Sequence, residues 1–559
     1  MNIASKTRLW QERVADKELA SQLQDLLDSK DEAAIADAFF QDLAFGTGGL
    51  RGVIGVGTNR MNIYTVGKAT QGLADYLNKT FEEPSVAMAR DSRNKGELFV
   101  ETAACVLAAN GIRVHIYPRI EPTPALSFAV RDLHCSAGIC MTASHNPSSY
   151  NGYKAYGNDG CQITSKAAAA IQSAINEVDI FEDVLTTDYY SAKKNGMIDF
   201  IGEDTLDRYL KAVLQYGLAD PSAADVNLKL VYTPLNGTGL ELMKRMLPEI
   251  GVSDVTVVPE QEMADGNFPT CPYPNPEIRE ALQKGLDLCA EVHPDLLLAT
   301  DPDADRVGIA VENDGEYVLL SGNEVGILML DYICKMRRQK CLMPNRPVAV
   351  TTIVSTVMAT DIANKYHVEL LRTLTGFKYI GDVITHLEAI GEQERFIMGF
   401  EESYGYLSGA HVRDKDSINA SMIICQMAQH YKNMGLNLVQ AIENLYKEFG
   451  YYRNRTVSMS FPGADGAQKM QALMTSMRSN PPQDIANLPV QKVVDYESGV
   501  DGLPSANVLE FQLPNNNKVI FRPSGTEPKI KAYLFSKGAS EKESEDLLNL
   551  MEVSVNDLL

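Results

Sequence analysis

Ser85-Val86-Ala87-Met88-Ala89 runs into Arg90-Asp91-Ser92-Arg93, and the reading of that stretch decides the fold class. A short apolar run closed by polar residues reads as a buried strand. Helical spacing from Gly96 to Asn110 follows it, Gly111 stops the helix, and Ile112 to Tyr117 returns as a strand. That is a β-α-β unit, which demands parallel pairing and a right-handed crossover. Ligands of open α/β sheets gather beyond the C-terminal strand ends, where Asp91-Ser92-Arg93 lies.

The same alternation recurs twice. Leu228 to Tyr232, Val255 to Val258, Leu296 to Thr300 and Val307 to Val311 read as strands of a second region. In a third, Pro347 to Thr352, Val368 to Arg372 and Arg395 to Phe400 read as strands, with helices from Ser355 to Tyr366 and from Ile418 to Met434. The N-terminal region to about Phe40 is helical, with Leu19, Leu23, Leu26 and Leu27 on one face. Thr164 or Ser165 is placed to cap an Ala-rich helix beginning near Lys166. From about Tyr451 polar turns and short strands predict an α+β terminal domain. No sequence repeat accompanies the recurring alternation.

A chain of 559 residues has room for several cores. Its net charge of −22 argues against general affinity for nucleic acid or anionic membranes, though not against an anionic substrate in a local basic pocket. The nine cysteines form no Cys-x-x-Cys pair, which predicts reduced thiols. No signal-like segment opens the chain, and no apolar run approaches the ~20 residues that span a bilayer, so a cytoplasmic location is the expectation.

Five polar stretches carry possible chemistry. Thr142-Ala143-Ser144-His145-Asn146-Pro147, continuing to Lys154, follows an apolar run and contains two turn signals, so it reads as a loop holding Ser144 at a strand end. Asp42 to Gly52 contains four glycines and Arg51, which suits close approach of backbone N–H groups to an anion. Asp301, Asp303 and Asp305 alternate after a buried strand; hard oxygen donors so clustered suit Mg²⁺. Arg522-Pro523-Ser524-Gly525-Thr526 offers a guanidinium, two hydroxyls and free N–H groups, a fit to a phosphate dianion. Glu401 and Ser403 pair an acceptor with a donor, as selection among sugar hydroxyls requires. Each alone also reads as a polar turn; together they suit phosphoryl transfer, which depends on positioning and charge neutralisation.

Four of these stretches, in order, resemble the α-D-phosphohexomutase superfamily of phosphoglucomutases and phosphomannomutases: Thr142 to Pro147, Asp301-Pro302-Asp303-Ala304-Asp305-Arg306, Gly399-Phe400-Glu401-Glu402-Ser403-Tyr404-Gly405 and Arg522 to Pro528. The resemblance implies four domains around a central active-site cleft, three similar α/β domains and a C-terminal α+β domain. The expected division is 1–205 (phosphoserine-bearing), 206–322 (metal-binding), 323–447 (sugar-recognising) and 448–559 (phosphate-binding). It implies Ser144 as phosphoserine, with Asp301, Asp303 and Asp305 holding Mg²⁺ against its phosphate. Lys154 matches the family's proton-transfer lysine, Arg51 its active-site arginine, and Arg306 follows the metal loop. His145 is a candidate base or an orienting group. Glu401 and Ser403 fall on sugar-reading positions, and Arg522, Ser524, Gly525 and Thr526 on the phosphate loop. Thr375, Gly376 and Lys415 resemble further substrate contacts.

The implied activity is reversible phosphoglucomutase chemistry, glucose 1-phosphate to glucose 6-phosphate, with a sugar 1,6-bisphosphate as activator and a monomeric or homodimeric enzyme. Phe45 to Arg51, Gly55 to Asn62 and the Gly-Phe-Glu-Glu-Ser loop look most like the branch containing phosphopentomutase and glucose-1,6-bisphosphate synthase relatives, so ribose or deoxyribose 1-phosphate stays open, as does mannose phosphate. A metal-dependent phosphohydrolase using Asp301 as nucleophile is the alternative of another class, and a non-enzymatic sugar-phosphate sensor is a third reading.

Overall fold

The computed structural model describes residues 2–46, 48–223, 227–461, 466–524 and 529–558. Four main sheets succeed one another along the chain. The first runs Gly49–Val53, Tyr150–Gly157, Ala137–Met141, Ser85–Arg90, Arg113–Ile116, Ile198–Phe200 in spatial order. Its centre is the expected β-α-β unit: Ser85–Arg90 pairs in parallel with Arg113–Ile116 through the helix Gly96–Ala109.

The second sheet orders Glu316–Leu320, Val307–Asn313, Leu296–Thr300, Lys229–Thr233, Asp254–Val257, and the third orders Glu369–Thr373, Val348–Thr352, Phe396–Glu401, Gly405–Leu407. The fourth is wholly antiparallel: Tyr451–Ser460, Lys529–Gly538, Lys518–Pro523, Leu509–Gln512, Lys492–Asp495. Three α/β layers and a C-terminal α+β unit are thus present.

The first three sheets share a plan that positions the chemistry. Each has a strand with a parallel partner on one side and, on the other, an antiparallel partner that follows directly in sequence. These hairpins join Ala137–Met141 to Tyr150–Gly157, Leu296–Thr300 to Val307–Asn313, and Phe396–Glu401 to Gly405–Leu407. Their turns are the serine, three-aspartate and Glu-Glu-Ser stretches. Each turn holds a non-glycine residue in left-handed backbone: Ser144 (φ +53°), Ala304 (φ +50°) and Tyr404 (φ +64°). Such residues cost free energy and persist where surrounding contacts hold them.

Several local expectations change. Much of the glycine-rich stretch is a strand rather than an anion loop: Gly49–Val53 pairs antiparallel with Tyr150–Lys154. A Cβ on Gly49 would stand 1.7 Å from the Tyr153 carbonyl oxygen, so close strand approach requires that glycine. Thr164 occupies the N-cap position of Ser165–Glu177, but its side chain makes no cap bond. The helix expected from Ser355 starts at Met358, because Ser355 and Thr356 belong to a turn built around Glu402 and Arg372.

Leu19 and Leu23 are buried in the N-terminal helices, in one cluster with Trp10 and Phe39. Trp10 packs edge-on to Phe39, Tyr64 and Phe181 at ring distances of 5.8, 5.5 and 5.5 Å. The helix Ser417–Asn433 is buried from Ser417 to Tyr431 and packs on the second and third units, which explains its apolar composition all round. Its N-terminal Ser417 donates to the Ala304 carbonyl at 2.5 Å, pinning the three-aspartate turn. Among the described residues no helix is long and apolar enough to cross a membrane.

Candidate active site

Ser144 sits where a strained turn is held from several sides. Its N–H donates to Thr142 Oγ1 at 2.8 Å, and Thr142 Oγ1 donates to Asp91 Oδ2 at 2.6 Å. Arg93 donates to four carbonyls of the turn: Ser144 (2.6 Å), Asn146 (2.5 Å), Pro147 (2.8 Å) and Tyr150 (3.1 Å). The Asp91-Ser92-Arg93 strand end, expected to meet ligand, instead holds the neighbouring serine loop. Burial pushes Asp91 up to about 6, against the pull of Arg93. Arg93→Met leaves those carbonyls and buried Asp91 without their partner, which should cost about 3–5 kcal/mol. The expected result is a lower urea midpoint with kcat reduced about 100-fold. Arg93→Lys, which retains the charge, should recover part of both, read from urea denaturation and steady-state rates.

The Ser144 hydroxyl donates to Asp301 Oδ2 at 2.8 Å and lies 3.1 Å from His145 Nδ1. Burial, then Arg306 and Arg51, hold His145 well below the usual histidine range, so its imidazole is neutral. Asp301 Oδ1 accepts from the backbone N–H groups of Asp305 and Arg306 at 3.1 and 3.0 Å.

Asp301, Asp303 and Asp305 are buried, with one carboxylate oxygen of each within 4.8 Å of the others. Burial and the two neighbouring carboxylates push Asp301 far above the usual carboxylate range. Asp303 Oδ1 and Asp305 Oδ1 have no hydrogen-bond partner. Orphaned buried carboxylate oxygens in a three-acid cluster fit a hard divalent cation. Two lysines face the cluster. Lys154 Nζ lies 2.6 Å from Asp303 Oδ2 and 3.0 Å from Asp305 Oδ2, and Lys415 Nζ lies 3.1 Å from Asp305 Oδ2. Burial would lower Lys154, but Asp303 and Asp305 outweigh it and drive it up. Burial likewise opposes ionisation of Asp305, yet Lys154 and Lys415 hold it well below its ordinary value.

These groups open on a cleft of about 770 Å³ reached by all four units. Arg51, Ser144, His145, Lys154, Asp305, Arg306, Thr375, Gly376, Glu401, Ser403, Lys415 and Arg522 line it. Asp301 and Asp303 are fully buried. Arg51 donates to Asn146 Oδ1 at 3.2 Å, and Arg306 is tied to Glu277. Glu401 Oε1 accepts from the Gly376 N–H at 2.8 Å, and burial raises its carboxyl. The Ser524 N–H donates to the Lys529 carbonyl at 2.7 Å. Gly525 and Thr526 lie outside the described residues.

The cleft also contains residues that the sequence reading missed. Arg522 stands directly opposite Lys531 across the hairpin Lys518–Pro523/Lys529–Gly538. Like charges so paired repel, and an anion between them relieves the repulsion. Burial and then Arg522 lower Lys531. Lys531 was legible only through hairpin register. Glu277 was hidden in a proline-rich loop, and Asn323, another cleft residue, at a helix start.

Three family profiles match consecutive stretches: phosphoglucomutase/phosphomannomutase alpha/beta/alpha domain I at residues 42–180, domain II at 207–315 and domain III at 321–449. A phosphoglucomutase of Staphylococcus aureus (strain bovine RF122 / ET3-1) is 35% identical over 555 residues, covering 97% of this chain and 98% of that protein. One of Staphylococcus saprophyticus is 34% identical, covering 94% and 95%. Two solved structures share the fold. The open form of Paramecium parafusin, a phosphoglucomutase, has a TM-score of 0.71 at 18% identity, covering 92% of this chain and 95% of that one. A phosphoglucomutase/phosphomannomutase family protein of Burkholderia thailandensis has a TM-score of 0.69 at 18% identity, covering 93% and 98%. The chain belongs to the phosphoglucomutase/phosphomannomutase family, within the α-D-phosphohexomutase superfamily of phosphosugar mutases.

Proposed function

We propose that this mutase interconverts glucose 1-phosphate and glucose 6-phosphate through phospho-Ser144. The observation that carries the reading is a single cleft joining Ser144, which donates to buried Asp301, and Asp305 to Glu401, Ser403 and the Arg522/Lys531 pair. A free sugar hydroxyl attacks the phosphorus on Ser144 Oγ; its O–P bond forms as the Oγ–P bond breaks. The bisphosphorylated sugar then turns over, and its other phosphate returns to Ser144. Arg522, Ser524 and Lys531, with Gly525 and Thr526 as candidates from sequence, hold the phosphate that is not reacting.

Of the two proton-transfer candidates, His145 is neutral and able to accept a proton, while Lys154 is protonated and supplies charge or a proton. Asp301, Asp303 and Asp305 would hold Mg²⁺, which when bound neutralises charge on the transferring group. Glu401 and Ser403, with Thr375, Gly376 and Lys415 beside them, read the sugar hydroxyls, and Arg51 and Arg306 add positive charge around the serine. A sugar 1,6-bisphosphate serves as activator because it restores phospho-Ser144 whenever the intermediate escapes.

Against a hydrolase with Asp301 as nucleophile, both Asp301 oxygens already accept hydrogen bonds. The proposed domain division, 1–205, 206–322, 323–447 and 448–559, has junctions at Glu203–Gln215, Gly322–Gln339 and Leu438–Phe449. A cytoplasmic location belongs to the same proposal. Initial rates on glucose 1-phosphate, mannose 1-phosphate and ribose 1-phosphate, with Mg²⁺ and a bisphosphate activator, test the sugar assignment. The largest kcat/KM is expected for glucose 1-phosphate; a larger value for ribose 1-phosphate overturns it.

A further inference from the structure

A second cavity, of about 1200 Å³, opens between the third sheet's unit and the C-terminal sheet, and it shares no lining residue with the cleft. A hydrophobic wall that includes Ile353, Val354, Leu374, Tyr496, Ile520 and Tyr533 fills the seam between these units. Ile353 and Tyr496 face the second cavity, whereas Val354 and Tyr533 face the cleft. The connecting chain crosses between the two spaces. Gly450 (φ +101°), between the helix Leu438–Phe449 and the strand Tyr451–Ser460, lines the second cavity, and Tyr452 to Thr456 line the cleft. A rotation at that glycine about the apolar wall would narrow one space as it widened the other.

The depth of the second cavity is positively charged. Arg372, half-buried on one wall, donates through its terminal nitrogens to the carbonyls of Thr352 (3.1 Å), Ser355 (3.2 Å) and Thr356 (3.1 Å) and to Thr360 Oγ1 (3.1 Å), so it offers an anion its positive charge and its Nε–H. Among the described residues it makes no ion pair. On the other wall Lys518 reaches across the seam to the Ile353 carbonyl at 2.9 Å and stands 3.6 Å from Glu510. Glu510 is shared with the Tyr496 hydroxyl (3.2 Å) and Gln512 (2.8 Å). Burial pulls Lys518 down to about 8, because Glu510 only partly offsets the loss of water. The remaining acids, Asp501 and Glu543, lie on the exposed rim, where Gln491 and Asn515 add carboxamides. A buried lysine and a half-buried arginine below a rim of amides suit a phosphate attached to a hydroxyl-bearing body.

The turn that Arg372 holds is also part of the active site's back wall. The hydroxyls of Thr352 and Ser355 contact Glu402 Oε2 at 3.1 and 3.4 Å, and Asn323 accepts from the Thr356 N–H at 2.8 Å.

We propose that this second cavity is an effector site for a small phosphorylated, hydroxyl-bearing metabolite whose anion bridges Arg372 and Lys518. Bridging draws the two walls together and, about the apolar seam, holds the catalytic cleft open. Binding of the effector is independent of the mutase reading; the kinetic consequence, a raised KM for the phosphosugar, rests on it.

Calorimetry with glycerol 3-phosphate as probe tests the site on the full-length protein. The Arg522→Ala variant, altered only at the cleft, should keep the binding. Lys518→Met and Gln491→Trp should each weaken it at least tenfold; Gln491 is exposed at the rim, so its variant fills the cavity mouth without disturbing buried Glu510. Glycerol 3-phosphate should raise KM in the wild type and leave KM unchanged in Gln491→Trp. Binding lost in Arg522→Ala but retained in Gln491→Trp would assign the probe to the cleft and overturn the proposal. Absence of binding to the wild type at millimolar probe would overturn it as well. Binding without any change in KM would keep the site and remove its effect on the cleft.

Discussion

Ser144→Ala is expected to abolish mutase turnover, by at least about 10⁴-fold in kcat, equivalent to ~5.4 kcal/mol of transition-state stabilisation. The hydroxyl oxygen is the atom on which the phosphoryl group is proposed to rest, and the side chains that contact it, His145 and Asp301, are placed in other roles. The fold should survive, because the backbone N–H of residue 144 keeps its bond to Thr142 and its carbonyl keeps Arg93. Alanine in left-handed backbone adds about 1 kcal/mol of strain at most. Intact-mass measurement of the wild type should show one added phosphate mapping to the Ser144 peptide, and the variant should show none. Full turnover by Ser144→Ala would exclude the phosphoserine mechanism outright.

Asp301→Asn should separate activity from stability. The substitution keeps the shape, and its carbonyl can still accept from the Asp305 and Arg306 N–H groups. In the metal-free protein burial and the neighbouring Asp303 and Asp305 push Asp301 far up toward its neutral form, so a neutral amide of the same shape costs the fold little. The metal-free melting temperature should therefore be unchanged or higher. Activity should fall about 10³-fold or more, because the remaining donors no longer hold a cation firmly against the serine phosphate. The wild type, stripped with chelator and then given Mg²⁺ at about 100 times its Kd, should gain ~2.7 kcal/mol, a rise of about 2 °C where the whole chain unfolds together. Asp301→Asn should lose that rise. A variant that keeps both turnover and the Mg²⁺-dependent rise would remove the three aspartates from the metal assignment.

Much of this protein was legible in one dimension. Buried strands declare themselves by short apolar runs, and the run Leu296 to Thr300 coincides with the strand's bounds. The chemistry-bearing turns were legible because a serine, three alternate aspartates and an arginine-hydroxyl turn are costly to cluster unless something uses them. Two kinds of information were missing. Arg93 reads as an exposed polar strand end, yet its guanidinium holds a loop more than fifty residues away in sequence through four carbonyls, and backbone carbonyls carry no sequence signature. Lys531 takes its meaning from standing opposite Arg522, a matter of hairpin register.

Residue types alone determined the class of chemistry and the three α/β units, since apolar periodicity and the clustering of like charges are local properties. Only the tertiary structure decided that Ser85-Val86-Ala87-Met88-Ala89 and its polar end support the serine loop instead of meeting ligand. It also revealed a repeat that the sequence hides. Ser144, the aspartates and the Glu401 turn occupy the same hairpin corner of three successive sheets, and each corner carries one left-handed residue. Pairing direction and backbone handedness set that corner, and both tolerate almost any side chain that the neighbouring layers can hold.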